Sequence, residues 1–177
     1  ELFRRLKSEF PSSVGLVLQA YMRRNHSDIE KMMDLHTTAA PLNFRLCKGI
    51  YVEPEAIAFK KYEEINAHYL DDLELMLKNG IYVGIATHDK PLIDGAYNLI
   101  RKYSVPGHMY EFQMLLGVRE QLRDKILKEG HRLRIYIPFG THWYQYSIRR
   151  FKENPQMVKR MVRAIVRFAR LRQQRRR

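Results

Sequence analysis

Short runs of β-forming residues alternate five times along this chain with stretches whose apolar residues recur every three or four positions. Few folds accept that order. Strand, helix, strand, helix with short connections predicts a parallel sheet with crossover helices. The predicted strands are Val14 to Ala20 (VGLVLQA), Phe44 to Val52 (FRLCKGIYV), Ile81 to Thr87 (IYVGIAT), Met109 to Met114 (MYEFQM) and Leu133 to Phe139 (LRIYIPF). Between the first two, Ser27-Asp28-Ile29-Glu30 reads as a capping box that opens a helix. Tyr62, Ile65, Tyr69, Leu73 and Met76 predict a long helix ended by Asn79-Gly80. Pro91 falls in the first turn of the next, with Ile93, Ala96, Leu99 and Ile100 on one stripe. Val118, Leu122 and Ile126 mark another before Gly130, Thr141 caps one through Lys152, and Asn154-Pro155 starts the last. The strands read as apolar on both faces, as a helix-covered sheet requires.

Composition narrows the class. At 45% hydrophobic and 29% charged, the 177 residues exclude a disordered or collagen-like chain, and no run reaches the roughly 20 apolar residues of a membrane helix. Cys47 is the only cysteine, so no intrachain disulfide forms and a reducing, cytoplasmic setting is expected. With no CxxC or HExxH, no metal site is expected. The first residues are charged (Glu1, Arg4, Arg5, Lys7), with no secretory apolar region, and the start at glutamate predicts part of a longer protein. No GxGxxG or GxxxxGK[ST] follows a strand, against a Rossmann or P-loop site. An open doubly wound sheet and a barrel both fit the pattern. A (β/α)₈ barrel takes about 250 residues, so five units correspond to its last five-eighths.

The net charge of +13 is local: from Gln145 onward twelve Lys/Arg face the single Glu153, leaving +2 for the first 144 residues. From Met157 to Leu171, the apolar Met157, Met161, Ile165 and Phe168 lie opposite Arg160, Arg163, Arg167 and Arg170. Residues 154–177 therefore read as a basic amphipathic helix and tail that follow the barrel part at 1–153. Such a helix either packs its apolar stripe on the protein or lies on an anionic membrane.

Polar residues at the C-terminal ends of the strands are the site candidates, because α/β folds place their chemistry there. Gln19 closes an apolar run, Thr87 and His88 end the third strand, and Tyr136 lies in the fifth. Arg45 sits inside a strand, and period-two alternation places Cys47, Gly49 and Tyr51 on its face. A buried guanidinium needs an acceptor, either a structural carboxylate or a ligand. Farther on, Tyr146 precedes Arg149 and Arg150 by three and four residues, so all three can share one side of a helix. Paired arginines suit a single carboxylate, since the planar guanidinium bonds it in two places; they also read as the start of the basic tail.

Six motifs carry a resemblance. QAY (Gln19 to Tyr21), RLCKGIY (Arg45 to Tyr51), ATHD (Ala86 to Asp89), YEFQMLLG (Tyr110 to Gly117), RIYIPFG (Arg134 to Gly140) and YQYSIRR with the following ENP resemble the proline dehydrogenase family, in its order, from about Val14 to Pro155. The resemblance implies a (β/α)₈ barrel that holds FAD and oxidises L-proline to Δ1-pyrroline-5-carboxylate, with a hydride passing from the ring carbon beside nitrogen to the flavin. It implies that Arg149 and Arg150 bind the proline carboxylate and that Tyr136, Tyr146 and Tyr51 wall the ring. It further implies that Arg45 is the catalytic cation against the flavin, and that Gln19, Arg45, Lys48, Gly49, Ile50, Thr87 and His88 contact FAD. Ile50 stands where many relatives have alanine, and the family's substrate-binding lysine and supporting aspartate from earlier strands have no counterpart here. A membrane quinone is the implied electron acceptor, with peripheral contact at the inner membrane face. Two other readings fit the sequence: a flavin barrel resembling methylenetetrahydrofolate reductase, and a non-catalytic basic module for anionic membrane or nucleic acid. The YxxRR spacing favours a small carboxylate substrate, and no nucleic acid is expected.

Overall fold

The computed structural model describes residues 1–137 and 140. Its elements run α1 (Leu2–Glu9), β1 (Leu16–Gln19), α2 (Asn25–Met32) with a 3₁₀ turn at Met33–Leu35, β2 (Asn43–Cys47), α3 (Tyr62–Lys78), β3 (Tyr82–Ala86), α4 (Lys90–Lys102), β4 (Tyr110–Leu115), α5 (Glu120–Lys128) and β5 (Leu133–Tyr136). The strands form one parallel sheet in the order β1-β2-β3-β4-β5. A doubly wound sheet reverses its strand order at a switch point. This sheet never reverses. Each strand lies beside its predecessor, as in one sector of a (β/α)₈ barrel.

Side-chain alternation settles which face the helices cover. Phe44, Leu46, Val83, Ile85, Phe112 and Met114 enter one apolar core with Tyr69, Leu73 and Met76 of α3 and Ile93 and Ala96 of α4. The Tyr69 ring is fully buried and its hydroxyl donates to the Leu46 carbonyl at 3.1 Å, while burial pushes its ionisation far up. Truncating such a residue costs about 3–5 kcal/mol. The opposite positions carry Gln19, Arg45, Glu111, Gln113, Arg134 and Tyr136, so the expectation of two apolar faces is corrected: one face is apolar and helix-covered, the other polar. Helices cover only the outside of a barrel, which accounts for the apolar face.

Three further differences have local causes. The α1 helix, absent from the sequence reading, packs Phe3 on Phe44 with ring centroids 5.9 Å apart and sends Lys7 Nζ to the Pro41 carbonyl at 2.9 Å. The helix expected to open at Ser27 starts at Asn25, because Asn25 Nδ2 donates to the buried Asp72 Oδ2 at 2.6 Å. Ser27 therefore lies inside α2, where its Oγ accepts from Lys31 Nζ, and no capping box forms. The second strand ends at Cys47, not Val52. From there the chain leaves the sheet, so strand alternation does not extend from Arg45 to Gly49 and Tyr51.

Candidate active site at the C-terminal ends of the strands

In a parallel sheet all C-terminal ends share one edge, and Gln19, Lys48, Thr87 and Tyr136 stand there on four strands. The first two strands are joined beyond their ends: Ala20 N–H donates to the Cys47 carbonyl and Tyr21 N–H to that of Lys48. Gly49 makes this crossing feasible. Its φ of +100° suits glycine, and a Cβ there would collide with the Tyr21 ring. Behind the crossing, His68 Nδ1 lies 2.7 Å from the Ala20 carbonyl, and the Asp72 carboxylate sits between His26 (3.0 Å) and Asn25. Burial raises the Asp72 pKa, against the opposing pull of Asn25, His68 and His26.

A cleft of about 360 Å³ opens among Lys48, Tyr62, Thr87, His88, Asp89 and Arg119. Asp89 Oδ2 accepts from the Tyr62 hydroxyl at 2.7 Å and from Lys48 Nζ at 3.0 Å, and Lys48 also lies 4.1 Å from the Tyr62 ring centroid. Burial alone would push the Asp89 carboxyl up; the Tyr62 and Lys48 bonds outweigh it and hold the carboxyl below its ordinary range. Thr87 Oγ1 accepts from the Asp89 N–H at 3.1 Å, and His88 Nε2 accepts from the Leu115 N–H at 2.8 Å. With His88 Nε2 an acceptor, the neutral ring carries its proton on Nδ1. Among the described residues the cleft's one carboxylate is thus tied to Lys48, and Arg119 adds a second cation.

Arg45 lies on the polar face of β2, where its Nε donates to Gln113 Oε1 at 2.8 Å and its Cζ stands 6.0 Å from the Tyr136 ring centroid. Among the described residues no carboxylate lies within salt-bridge distance of it. Burial pushes the neighbouring Cys47 thiol up, opposed by Arg45.

The structure thus brings Arg45 to Tyr136, and Lys48 to Thr87 and His88. Gln19 lines a separate cleft of about 560 Å³ with Tyr21 and Glu53. Ile50 and Tyr51 are half-exposed on the loop past β2. Tyr146, Arg149, Arg150 and the basic segment from 154 lie outside the described residues. Sequence reasoning missed Gln113, Glu111 and Arg134, although the alternation in YEFQM and LRIY carried the signal. The set suits a flavin dinucleotide: cationic and hydrogen-bonding groups line the cleft beside Lys48, and the Arg45 guanidinium, unpaired with any carboxylate among the described residues, stands on the polar side of the sheet.

The chain matches the proline dehydrogenase family model over residues 1–163. It is 39% identical over 154 residues to proline dehydrogenase 1 of Bacillus subtilis strain 168, covering 87% of this chain and 49% of that protein. It is 36% identical over 157 residues to the proline dehydrogenase of Deinococcus radiodurans, covering 88% of this chain and again 49% of that protein. The chain therefore spans about half the length of these relatives. Among solved structures, proline utilization A from Bdellovibrio bacteriovorus, inactivated by N-propargylglycine, superposes with a TM-score of 0.77 at 28% identity over 86% of this chain and 18% of that one. On the family model and these relatives, the chain belongs to the proline dehydrogenase family.

Proposed function

We propose that the protein to which these residues belong oxidises L-proline to Δ1-pyrroline-5-carboxylate with FAD, in the catabolism of proline. The observation that carries the reading is Arg45: a guanidinium on the polar face of the barrel sector, held by a neutral amide and an aromatic ring, in a chain of this family. FAD, when bound, supplies the hydride acceptor, and the protein supplies orientation and electrostatics. Arg45 places a positive charge where the cofactor gains electrons. Lys48, the Gly49-Ile50 backbone, Thr87, His88 and Gln19 hold the dinucleotide. Arg149 and Arg150 grip the substrate carboxylate, while Tyr51, Tyr136 and Tyr146 wall the ring and fix the C–H that reacts. A membrane quinone reoxidises the cofactor, with the protein cytoplasmic and its basic C-terminal segment against the inner membrane face.

The test uses the full-length protein. Purified with FAD, it should absorb at about 450 nm and bleach on adding proline. Arg149→Met and Arg150→Met should each keep the flavin and lower kcat/KM by roughly 10–100-fold, the equivalent of one charge-assisted hydrogen bond at about 1.5–3 kcal/mol. Wild-type kcat/KM in both variants would remove the clamp assignment. Flavin that proline does not bleach would remove the activity.

A further inference from the structure

Arg45 and Gln113 lie on strands β2 and β4, with β3 between them. Neighbouring strands stand about 4.8 Å apart, so a side chain crossing a whole strand bridges roughly 10 Å. Gln113 and Arg45 cover that span between them, the Gln113 amide lying over Gly84, which is paired in register with Arg45. A Cβ at Gly84 would overlap Gln113 Nε2 and stand 3.0 Å from Cδ. The sheet thus has a gap where this one side chain crosses.

The amide that crosses is oriented at both ends. Its Nε2 donates to Glu111 Oε1 at 2.9 Å, which turns Oε1 toward Arg45 Nε at 2.8 Å. Glu111 is buried, and Arg134 Nε lies 2.6 Å from its Oε1. Arg45 and Glu111 therefore sit on one face with β3 between them, Glu111 paired with Arg134 and, among the described residues, linked to Arg45 only through the Gln113 amide. The hydrogen bond consumes Nε, and neither terminal nitrogen of Arg45 finds an oxygen acceptor among the described residues. Its other neighbours are the Tyr136 ring and the Cys47 thiol.

We propose that Gln113 is a positioning residue: anchored by the Arg134-paired Glu111, its neutral amide fixes Arg45 without cancelling its charge, so that the guanidinium meets the bound flavin as a full cation. Gly84 belongs to the same device, because only a residue without a Cβ lets the amide through. Resting on the flavin reading above, the inference adds to it a residue that acts through Arg45 without reaching the cofactor itself.

The experiment compares Gln113→Glu, Gln113→Met and Gly84→Ala in the full-length protein. It reads FAD dissociation by fluorescence titration, the flavin midpoint potential by dye equilibration, and KM against kcat for proline. In Gln113→Glu, a carboxylate beside Arg45 cancels its charge. The midpoint potential should fall and kcat should drop at least tenfold, with KM for proline little changed. Gln113→Met and Gly84→Ala both free the guanidinium, so each should raise the FAD Kd several-fold. Wild-type potential in a folded Gln113→Glu variant would overturn the proposal. Should that variant not fold, wild-type Kd in both others would overturn it equally. A full-length wild-type protein that takes up no flavin would instead overturn the reading of the face itself, and this inference with it.

Discussion

Asp89 stands immediately before α4, where a carboxylate usually caps the helix, yet its side chain makes no capping bond. It is committed instead to Tyr62 and Lys48, and their bonds more than offset the burial that pushes its pKa up. A folded pKa below the unfolded one contributes stability that is present above the ordinary carboxylate value of about 4, and is lost as pH falls through the lower folded value. Asp89→Asn should therefore lower the urea midpoint at pH 7, by the equivalent of about 1 kcal/mol. It should also flatten the acid limb below about pH 4 relative to wild type. Superimposable acid limbs would show that the pair does not hold the cleft. At this scale the sequence was partly legible. Arg45 stood out because a charge inside an apolar run needs an acceptor, whereas Gln113 and Asp89 acquire their meaning from partners 68 and 41 positions away, which only the register reveals.

Among the elements, the crossing of the β1 and β2 ends at Gly49 is the most exposed to substitution. A side chain there meets both an unfavourable φ of +100° and the Tyr21 ring. Gly49→Ala should cost about 1–3 kcal/mol and weaken FAD binding, as Lys48 and Ile50 flank it. Chemical denaturation with parallel flavin titration checks both, and unchanged values would mean that the crossing rearranges freely. Strand and helix positions were legible from period alone, and the Asn79-Gly80 and Pro91 boundaries follow the expected rules. What period could not give was the partition of faces. Arg45, Glu111, Gln113 and Arg134 occupy alternate positions within otherwise apolar runs, and the apolar neighbours dominate a reading by composition. The capping-box reading of Ser27 failed for a different reason. A long-range bond from Asn25 to Asp72 outweighs a local motif worth about 1 kcal/mol.

For the molecule as a whole, β1 is an edge strand among the described residues, paired there only to β2, and its Val17 is half-exposed. Open strand edges recruit other strands. The 177-residue chain purified by itself should show concentration-dependent association by light scattering, retain FAD weakly and fail to reduce a dye with proline. A monodisperse monomer with robust turnover would overturn that expectation.

The strictly sequential strand order has a kinetic consequence. Each ladder joins segments only about 20 to 40 residues apart, and loop-closure entropy changes slowly over that range. No strand has to wait for a distant one. As the chain leaves the ribosome, β2 finds β1 already made, and each later strand adds to the most recent, so the sheet grows in the direction of synthesis. Stalled nascent chains of increasing length should then gain amide protection strand by strand, in steps of one βα unit.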